Sequence, residues 1–453
     1  MSIDVIWLRQ DLRLADNPLL GEGLGQQLLC LYVLDRRWLD EARIGPARLG
    51  FLWQSLIALR GELLKRGSDL LVRLGDPAEE VARLAEMLGA DRVRVRRDPG
   101  WEERAAVSRL RRRLEAVCPV EEREGGMLLG REHLPTAVEA LPASFSAFRR
   151  RLAEASPPPA APAPLTLPPW PSGAPRGLPA LGRICPRAAG WQASPRGDFG
   201  FTGGEEAGAA RLADYLWHGG AVAHYARTRN GLAGADFSSR LSPWLAMGCL
   251  SARRVNDALR AWEAEHGESD SSRWLRFELL WRDYFHWAAW QDGPRLFGAR
   301  PWPDPGEAFA AWTRGETGVP LVDAGMRELA ATGWLSNRAR QNVASYWLHD
   351  LGGDWRLGAG WFERCLIDHD AASNWGNWAY LAGQGRHERP RRFAVLRQAE
   401  HYDPRGEYVA RWQPALAALP PGHDRHRPWR AAPEAFPAPL AAAEPDADVG
   451  ASP

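Results

Sequence analysis

Apolar residues gather into short unbroken runs early in the chain and spread to helical spacing later. The runs Val5–Leu8, Leu28–Leu34, Leu70–Leu74 and Val93–Val95 have the length and continuity of strands buried on both faces. Between them, Arg48–Lys65, Ala78–Leu88 and Glu102–Leu114 place apolar residues three and four apart, the period of amphipathic helices. Strands alternating with helices predict βαβ units and a parallel sheet. No G-x-G-x-x-G follows the first strand, so a dinucleotide fingerprint is absent, although such a sheet could take a ligand at its switch point.

The segment Ser156–Pro175, SPPPAAPAPLTLPPWPSGAP, cannot supply a ladder of N–H donors and predicts an extended connection. From Phe199 to Ala418 helical patterns dominate. Ala431–Pro453 is rich in Ala and Pro with few large apolar residues and is expected to be disordered. The expected organisation is an α/β domain over 1–135, a Pro-rich linker over 136–198, an all-helical domain over 199–430 and a tail over 431–453.

At 453 residues the chain is long enough for two domains with their own cores. A formal net charge of +1 leaves no global field for a polyanion, so a nucleic-acid surface has to be a local patch. Lys65 is the only lysine, and arginine supplies every other basic side chain. Cys30, Cys118, Cys185, Cys249 and Cys365 stand singly, which predicts neither a disulfide framework nor a zinc site. Without an apolar run of membrane-spanning length or a leader pattern, the expectation is a monomeric, cytoplasmic, soluble protein. The 23 tryptophans are unusual, since each buried indole N–H needs an acceptor.

Four segments of the helical half carry chemistry. In YARTRNGLAGADFSSRLSPWLAMGCLS, the cluster Ser238, Ser239, Arg240 and Ser242 before Pro243 reads either as helix N-capping or as an anion site. In FELLWRDY, Glu278 shares a helix face with Trp281 or Arg282, either as a solvated ion pair or as part of a site. GWLSNRARQN crowds amide and guanidinium donors at Asn337, Arg338, Arg340 and Gln341. In LIDHDAASNWGNWAYLAG, Asp368, His369 and Asp370 could pass for metal ligands. Adjacent residues diverge in direction, however, and no metal is expected.

In this order these segments resemble the flavin-binding domain of the cryptochrome/photolyase family. The stretches GWLSNRARQNVASYWLHDLGGDWR, IDHDAASNWGNWAY and HYDPRGEYVARW resemble the DASH branch, and the N-terminal WLRQDLRLADNPLL supports the family. The resemblance implies a Rossmann-like N-terminal α/β domain and an all-helical C-terminal domain binding FAD. It assigns Tyr225, Ser238, Ser239, Leu241 and Ser242 to the phosphate side of FAD, and Arg282, Arg340, Asp368, Asp370 and Asn374 to its isoalloxazine and ribityl parts. Asn374 falls where the family faces flavin N5.

The same resemblance assigns Glu278, Trp281, Asn337 and Tyr380 to a pocket for a pyrimidine dimer flipped out of the strand. Trp281 and Tyr380 would stack on the bases. Glu278 and Asn337 would hydrogen-bond their edges. Trp378, Trp355 and Trp302 would form the chain that carries electrons to oxidised flavin. Tyr380 stands where conventional photolyases have Trp, and Gln341 where they have Met. The smaller stacking partner implies a preference for single-stranded DNA. The loop Arg386–Arg392, RHERPRR, departs from the branch pattern but could contact phosphates. An antenna chromophore, commonly methenyltetrahydrofolate in this branch, would sit against the α/β domain. The rival expectation is a blue-light receptor that binds FAD and nucleic acid without repair.

Overall fold

The computed structural model describes residues 2–134, 136–152, 155–297, 303–386 and 389–442. Strands β1 (Ile3–Leu8), β2 (Gln27–Asp35), β3 (Leu70–Gly75), β4 (Arg92–Arg96) and β5 (Val120–Arg123) form a parallel sheet in the order β3-β2-β1-β4-β5. Val5 of β1 lies level with Leu29 of β2 and Val93 of β4. The strand order reverses between β1 and β4, which makes that crevice the switch point. Helices α1 (Pro46–Lys65), α2 (Pro77–Leu88) and α3 (Trp101–Arg113) follow β2, β3 and β4. Asp76 starts α2 by accepting from the N–H of Ala78 at 2.9 Å, and Gly89 stops it at φ +59°, the left-handed cap that glycine adopts without a Cβ clash.

Alternation along the strands sorts the core. Val5, Trp7, Val93 and Val95 pack with Val81 of α2 and Val107 and Leu110 of α3. Ile6, Leu8, Leu28 and Cys30 face the other way, onto Leu49, Leu56 and Leu63 of α1. This second cluster continues into the helical half through Trp244, Leu279 and Trp287. Strand β5 escapes the apolar pattern because VEER is an edge strand whose side chains pair in solvent, Arg97 with Glu122 at 3.3 Å and Arg123 with Glu121 at 2.9 Å.

The helical half includes α4 (Phe145–Arg151), α5 (Ser242–Met247), α6 (Asp270–Asp292), α7 (Pro320–Thr332), α8 (Asn337–Ser345), α9 (Trp355–Cys365), α10 (Ala371–Leu381) and α11 (Glu407–Trp412). A reciprocal box between Ser269 and Ser272 opens α6. Leu329, Val343, Phe362, Trp378 and Val409 join α7 to α11 in a core of their own.

Polar ties close the seam between the halves. The buried carboxylate of Asp283 on α6 accepts from Leu128 N–H at 3.0 Å and Leu129 N–H at 2.8 Å. Arg43 pairs with Glu363 of α9 at 2.7 Å, and Arg48 donates to the Glu363 carbonyl at 2.8 Å. Gly248, at φ +70°, lets the backbone pass so close to Gln10 that a Cβ would meet its carbonyl oxygen at 2.0 Å.

Within 156–175, Leu167 N–H donates to Arg66 O and Leu28 N–H to Pro169 O, both at 3.0 Å. Of the stretch 431–453, residues 443–453 lie outside the described residues; Leu440 N–H donates to Thr317 O at 2.9 Å. No helix among the described residues is long and apolar enough to cross a membrane.

Glu328 of α7 is buried and accepts a 2.6 Å hydrogen bond from the Tyr408 hydroxyl of α11. Burial raises its pKa to about 7, against the Tyr408 bond and the charge of Arg240. A folded-state pKa raised in this way gives stability that is full below the unfolded value and is lost as pH rises through about 7. Wild-type protein should therefore lose stability from mildly acidic to mildly alkaline pH in urea unfolding. Glu328→Gln should remove on the order of 2 kcal/mol of that loss. An unchanged pH slope in the variant would refute the assignment.

Candidate functional site

A cavity of about 290 Å³ opens in the helical half between α5, α6, α8 and the turn before α10. Its wall includes Tyr225, Ser238, Ser239, Leu241, Ser242, Glu278, Arg282, Asn337, Arg340, Asp368 and Asp370. A second cavity of about 120 Å³ shares Asn337, Arg340, Asp368, Asp370 and Ser373 with it and adds Gln341, Asn374 and Trp378.

The serine cluster does not cap a helix, so the N-capping expectation is corrected. Helix α5 begins behind Leu241 with no side-chain cap bond. Arg240, a non-glycine residue at φ +55°, turns the chain into it, and Pro243 in the first turn needs no partner for an N–H. Ser238, Ser239 and Ser242 are thereby presented to the cavity, with Ser242 Oγ accepting from Trp334 Nε1 at 3.3 Å. The Arg240 guanidinium is buried over the Trp334 ring at 4.3 Å and donates to the Ala235 carbonyl at 3.0 Å. Burial lowers its pKa to about 10.

Nor do Glu278 and Arg282 pair with each other. Glu278 accepts from Arg229 at 2.5 Å and from Trp274 Nε1 at 3.0 Å, whereas Arg282 donates to the Gly126 carbonyl at 2.6 Å. Burial raises the Glu278 carboxyl above the ordinary carboxylate range, although Arg229 and the Trp274 bond oppose it. Burial likewise pushes the Tyr225 phenol up, which keeps it a neutral donor.

Around the start of α10 the polar groups interlock. Asp368 accepts from Arg340 of α8 at 2.7 Å, and Arg340 also donates to the Leu335 carbonyl at 3.0 Å. Asp370 caps α10 by accepting from Ser373 N–H at 2.8 Å and meets His286 Nε2 of α6 at 2.7 Å. Burial alone would raise the Asp370 pKa, but His286, Arg282 and the Ser373 N–H hold it well below the usual range. His369 reaches the interdomain side, where burial and Arg48 lower its pKa to about 3 and keep it neutral. Asn374 donates to the Ala359 carbonyl at 3.0 Å. Among the described residues no group of three His, Cys, Asp or Glu is placed to hold a metal.

Other expected residues lie outside the wall of the larger cavity. Trp281 stacks on Phe145 of α4 at 3.9 Å between centroids and 14° between planes, so one face of the indole is already occupied by a ring. Tyr380 carries the Arg391 guanidinium 5.4 Å from its ring. Trp378 packs edge-on against Phe362 at 5.1 Å and Trp312 at 6.2 Å, while Trp355 meets Trp375 at 5.7 Å. Trp302 lies outside the described residues, as do His387 and Glu388 of the basic loop. In that loop Arg386 is tied to Asp292 at 2.9 Å and Arg392 to Asp350 at 2.8 Å, so neither guanidinium is free of an internal carboxylate. Arg229, His286 and Trp334 are not among the expected site residues, and Arg240 is expected only as part of the serine cluster. Arg229, Arg240 and Trp334 sit within the quoted segments, but nothing in the sequence marks which of their many arginines and tryptophans turn inward.

Residues 4–165 match the family described as DNA photolyase, and residues 274–444 match the FAD binding domain of DNA photolyase. A cryptochrome DASH of Gloeobacter violaceus is 43% identical over 95% of this chain and 89% of its own length. One from Xenopus laevis is 39% identical over 93% of this chain and 84% of its own. The chain belongs to the DASH cryptochromes of the photolyase family. The crystal structure of a Synechocystis cryptochrome, 39% identical, superposes with a TM-score of 0.91 over 98% of this chain and 97% of that one. A bacterial class III photolyase from Agrobacterium tumefaciens, 30% identical, gives 0.82 over 98% and 95%.

As a DASH cryptochrome the chain carries a flavin domain, and its cavity suits FAD chemically. Asp368 Oδ1 and Gln341 Oε1 are buried acceptors without a partner among the described residues. Leaving such groups unpaired is costly, and FAD brings hydroxyl and N–H donors. The hydroxyls of Ser238, Ser239 and Ser242 on the same wall as Arg240 suit a pyrophosphate. Asp368→Ala and Arg340→Ala should each lower flavin retained on purification by about tenfold or more. The double variant should lose little beyond either single one, as read by flavin absorbance per protein. Full retention by both single variants would remove this pair from the cofactor site.

Proposed function

We propose that the protein repairs cyclobutane pyrimidine dimers in light, preferring single-stranded DNA, with FAD held by Tyr225, Ser238, Ser239, Leu241, Ser242, Arg282, Arg340, Asp368, Asp370 and Asn374. The carrying observation is that Glu278 and Asn337, which suit base edges, stand on the same wall as the flavin-side groups Arg282, Arg340, Asp368 and Asp370. Bound FAD supplies light-driven one-electron chemistry.

The chain's own share is to bind, orient and exclude water. The raised pKa of Glu278 lets its carboxyl stay protonated more readily and donate to a base carbonyl, with Arg229 beside it to take up negative charge. Asn337, first residue of α8, presents an amide to the neighbouring edge. Tyr380 in place of a larger indole offers less stacking area, which supports single-strand preference because extracting a base from duplex costs a few kcal/mol. The tryptophans Trp378 and Trp355, with Trp302, would serve to recharge the cofactor. The covered face of Trp281 and the guanidinium over Tyr380 favour a second reading, a blue-light receptor with the same cavity and no repair.

The test is repair of a dimer in single-stranded and duplex DNA, in blue light and in darkness. Light-dependent repair of the single strand is expected, with duplex repaired at least about tenfold less well. FAD-loaded protein that repairs neither would leave the receptor reading. Glu278→Gln, which keeps a donor, should retain repair, whereas Glu278→Ala should lose about 10²-fold. Because the folded-state pKa is raised, wild-type repair should decline as pH rises through it, and Glu278→Gln should show no such decline.

A further inference from the structure

His286 belongs to neither the cofactor set nor the base-binding set, yet its imidazole meets a cofactor-side carboxylate. It sits two turns along α6 from Glu278, is buried, and places Nε2 2.7 Å from Asp370 Oδ2. Asp370 lines both flavin-side cavities and also a third one of about 50 Å³ between the α/β and helical halves. His286 lines that third cavity. The His286–Asp370 contact is therefore a partition with the cofactor cavity on one side and a charged, water-sized space on the other.

We propose that His286 is a positioning residue that fixes Asp370 from behind and, by gaining or losing a proton through the interdomain cavity, sets the charge beside the flavin. The inference rests on the larger cavity being the FAD site. With Nε2–H donating to Asp370, Nδ1 is the ring nitrogen left to carry a second proton. The charged form offsets the Asp370 carboxylate, and the neutral form leaves it to Arg282, whose guanidinium lies 3.9 Å away. An electron added to the cofactor meets less negative potential in the first case than in the second.

Every charged group facing His286 bears on this balance. Asp370 faces it from α10, and Arg282 and Asp283 flank it on α6. Across the small cavity stand Glu363 and His369 from the helical side. Arg96, Asp98 and Glu103 face it from the α/β side, with Arg43, Arg48 and Glu102. Most of these are already paired, Arg96 with Asp98 at 2.6 Å and Arg43 with Glu363 and Glu102. Asp370 is left as the direct partner of His286.

The experiment uses FAD-loaded protein and its His286→Gln variant, whose amide can still donate to Asp370 but cannot titrate. Ring nitrogen NMR across about pH 5–9 should show Nε2 protonated throughout while Nδ1 titrates. The preference for reduced over oxidised FAD, read from the midpoint potential, should change by about tenfold across that same step in wild type. It should show no step there in His286→Gln. Identical pH profiles in the two proteins, or an Nε2 without its proton, would overturn the proposal. His286→Ala should also retain less FAD, and if it fails to fold the His286→Gln comparison and the NMR still decide. Protein that binds no FAD at all would instead refute the cofactor-site reading.

Discussion

Two carboxylates, the buried Asp368 and the partly buried Asp370, lie within three residues of one another at the start of a helix, and the cavity is organised around satisfying them. A buried carboxylate is tolerated only with cations or N–H donors in reach. Arg340 comes from α8, His286 and Arg282 from α6, and the Ser373 N–H from α10 itself. One short stretch of chain therefore pins three helices around a hollow. A hollow has no side chains of its own to hold its walls apart at a fixed spacing, so polar ties of defined length do that work.

The tryptophan excess has a structural use in the same domain. Several indole N–H groups reach across to another element's oxygen: Trp312 to Val343, Trp347 to Asp354, Trp375 to Glu363 and Trp244 to Thr202. Each ring thereby adds a directional bond to its apolar area. Arginines exploit the same surfaces, Arg104 over Trp290 at 4.4 Å and Arg240 over Trp334 at 4.3 Å, as expected where arginine replaces nearly every lysine.

Local pattern revealed what is local. The period of Arg48–Lys65 and the run Leu28–Leu34 locate α1 and β2 to within two residues, since burial of continuous faces leaves a mark in the sequence. Strand β5 has no such mark, because its charged residues are held by a neighbour strand and not by a core. The site divides in the same way. Segments such as NRARQN and IDHDAASN stood out as clusters, but which arginine meets which carboxylate depends on helices 28 residues apart for Arg340 and Asp368 and 84 apart for His286 and Asp370. Glu278 shows the limit well: helical spacing offered Arg282, whereas a loop residue, Arg229, holds it.

The core shared by the sheet and the helical half has a consequence for biosynthesis. Strands β1 to β5 are complete once residue 123 has been made, yet Trp244, Leu279 and Trp287, which extend the cluster beneath Ile6 and Leu8, come much later. At about 5–20 residues per second, a ribosome leaves that apolar surface uncovered for roughly ten seconds or more. During that interval the nascent chain shows an apolar face that only its later helices can cover, the state in which incomplete chains aggregate.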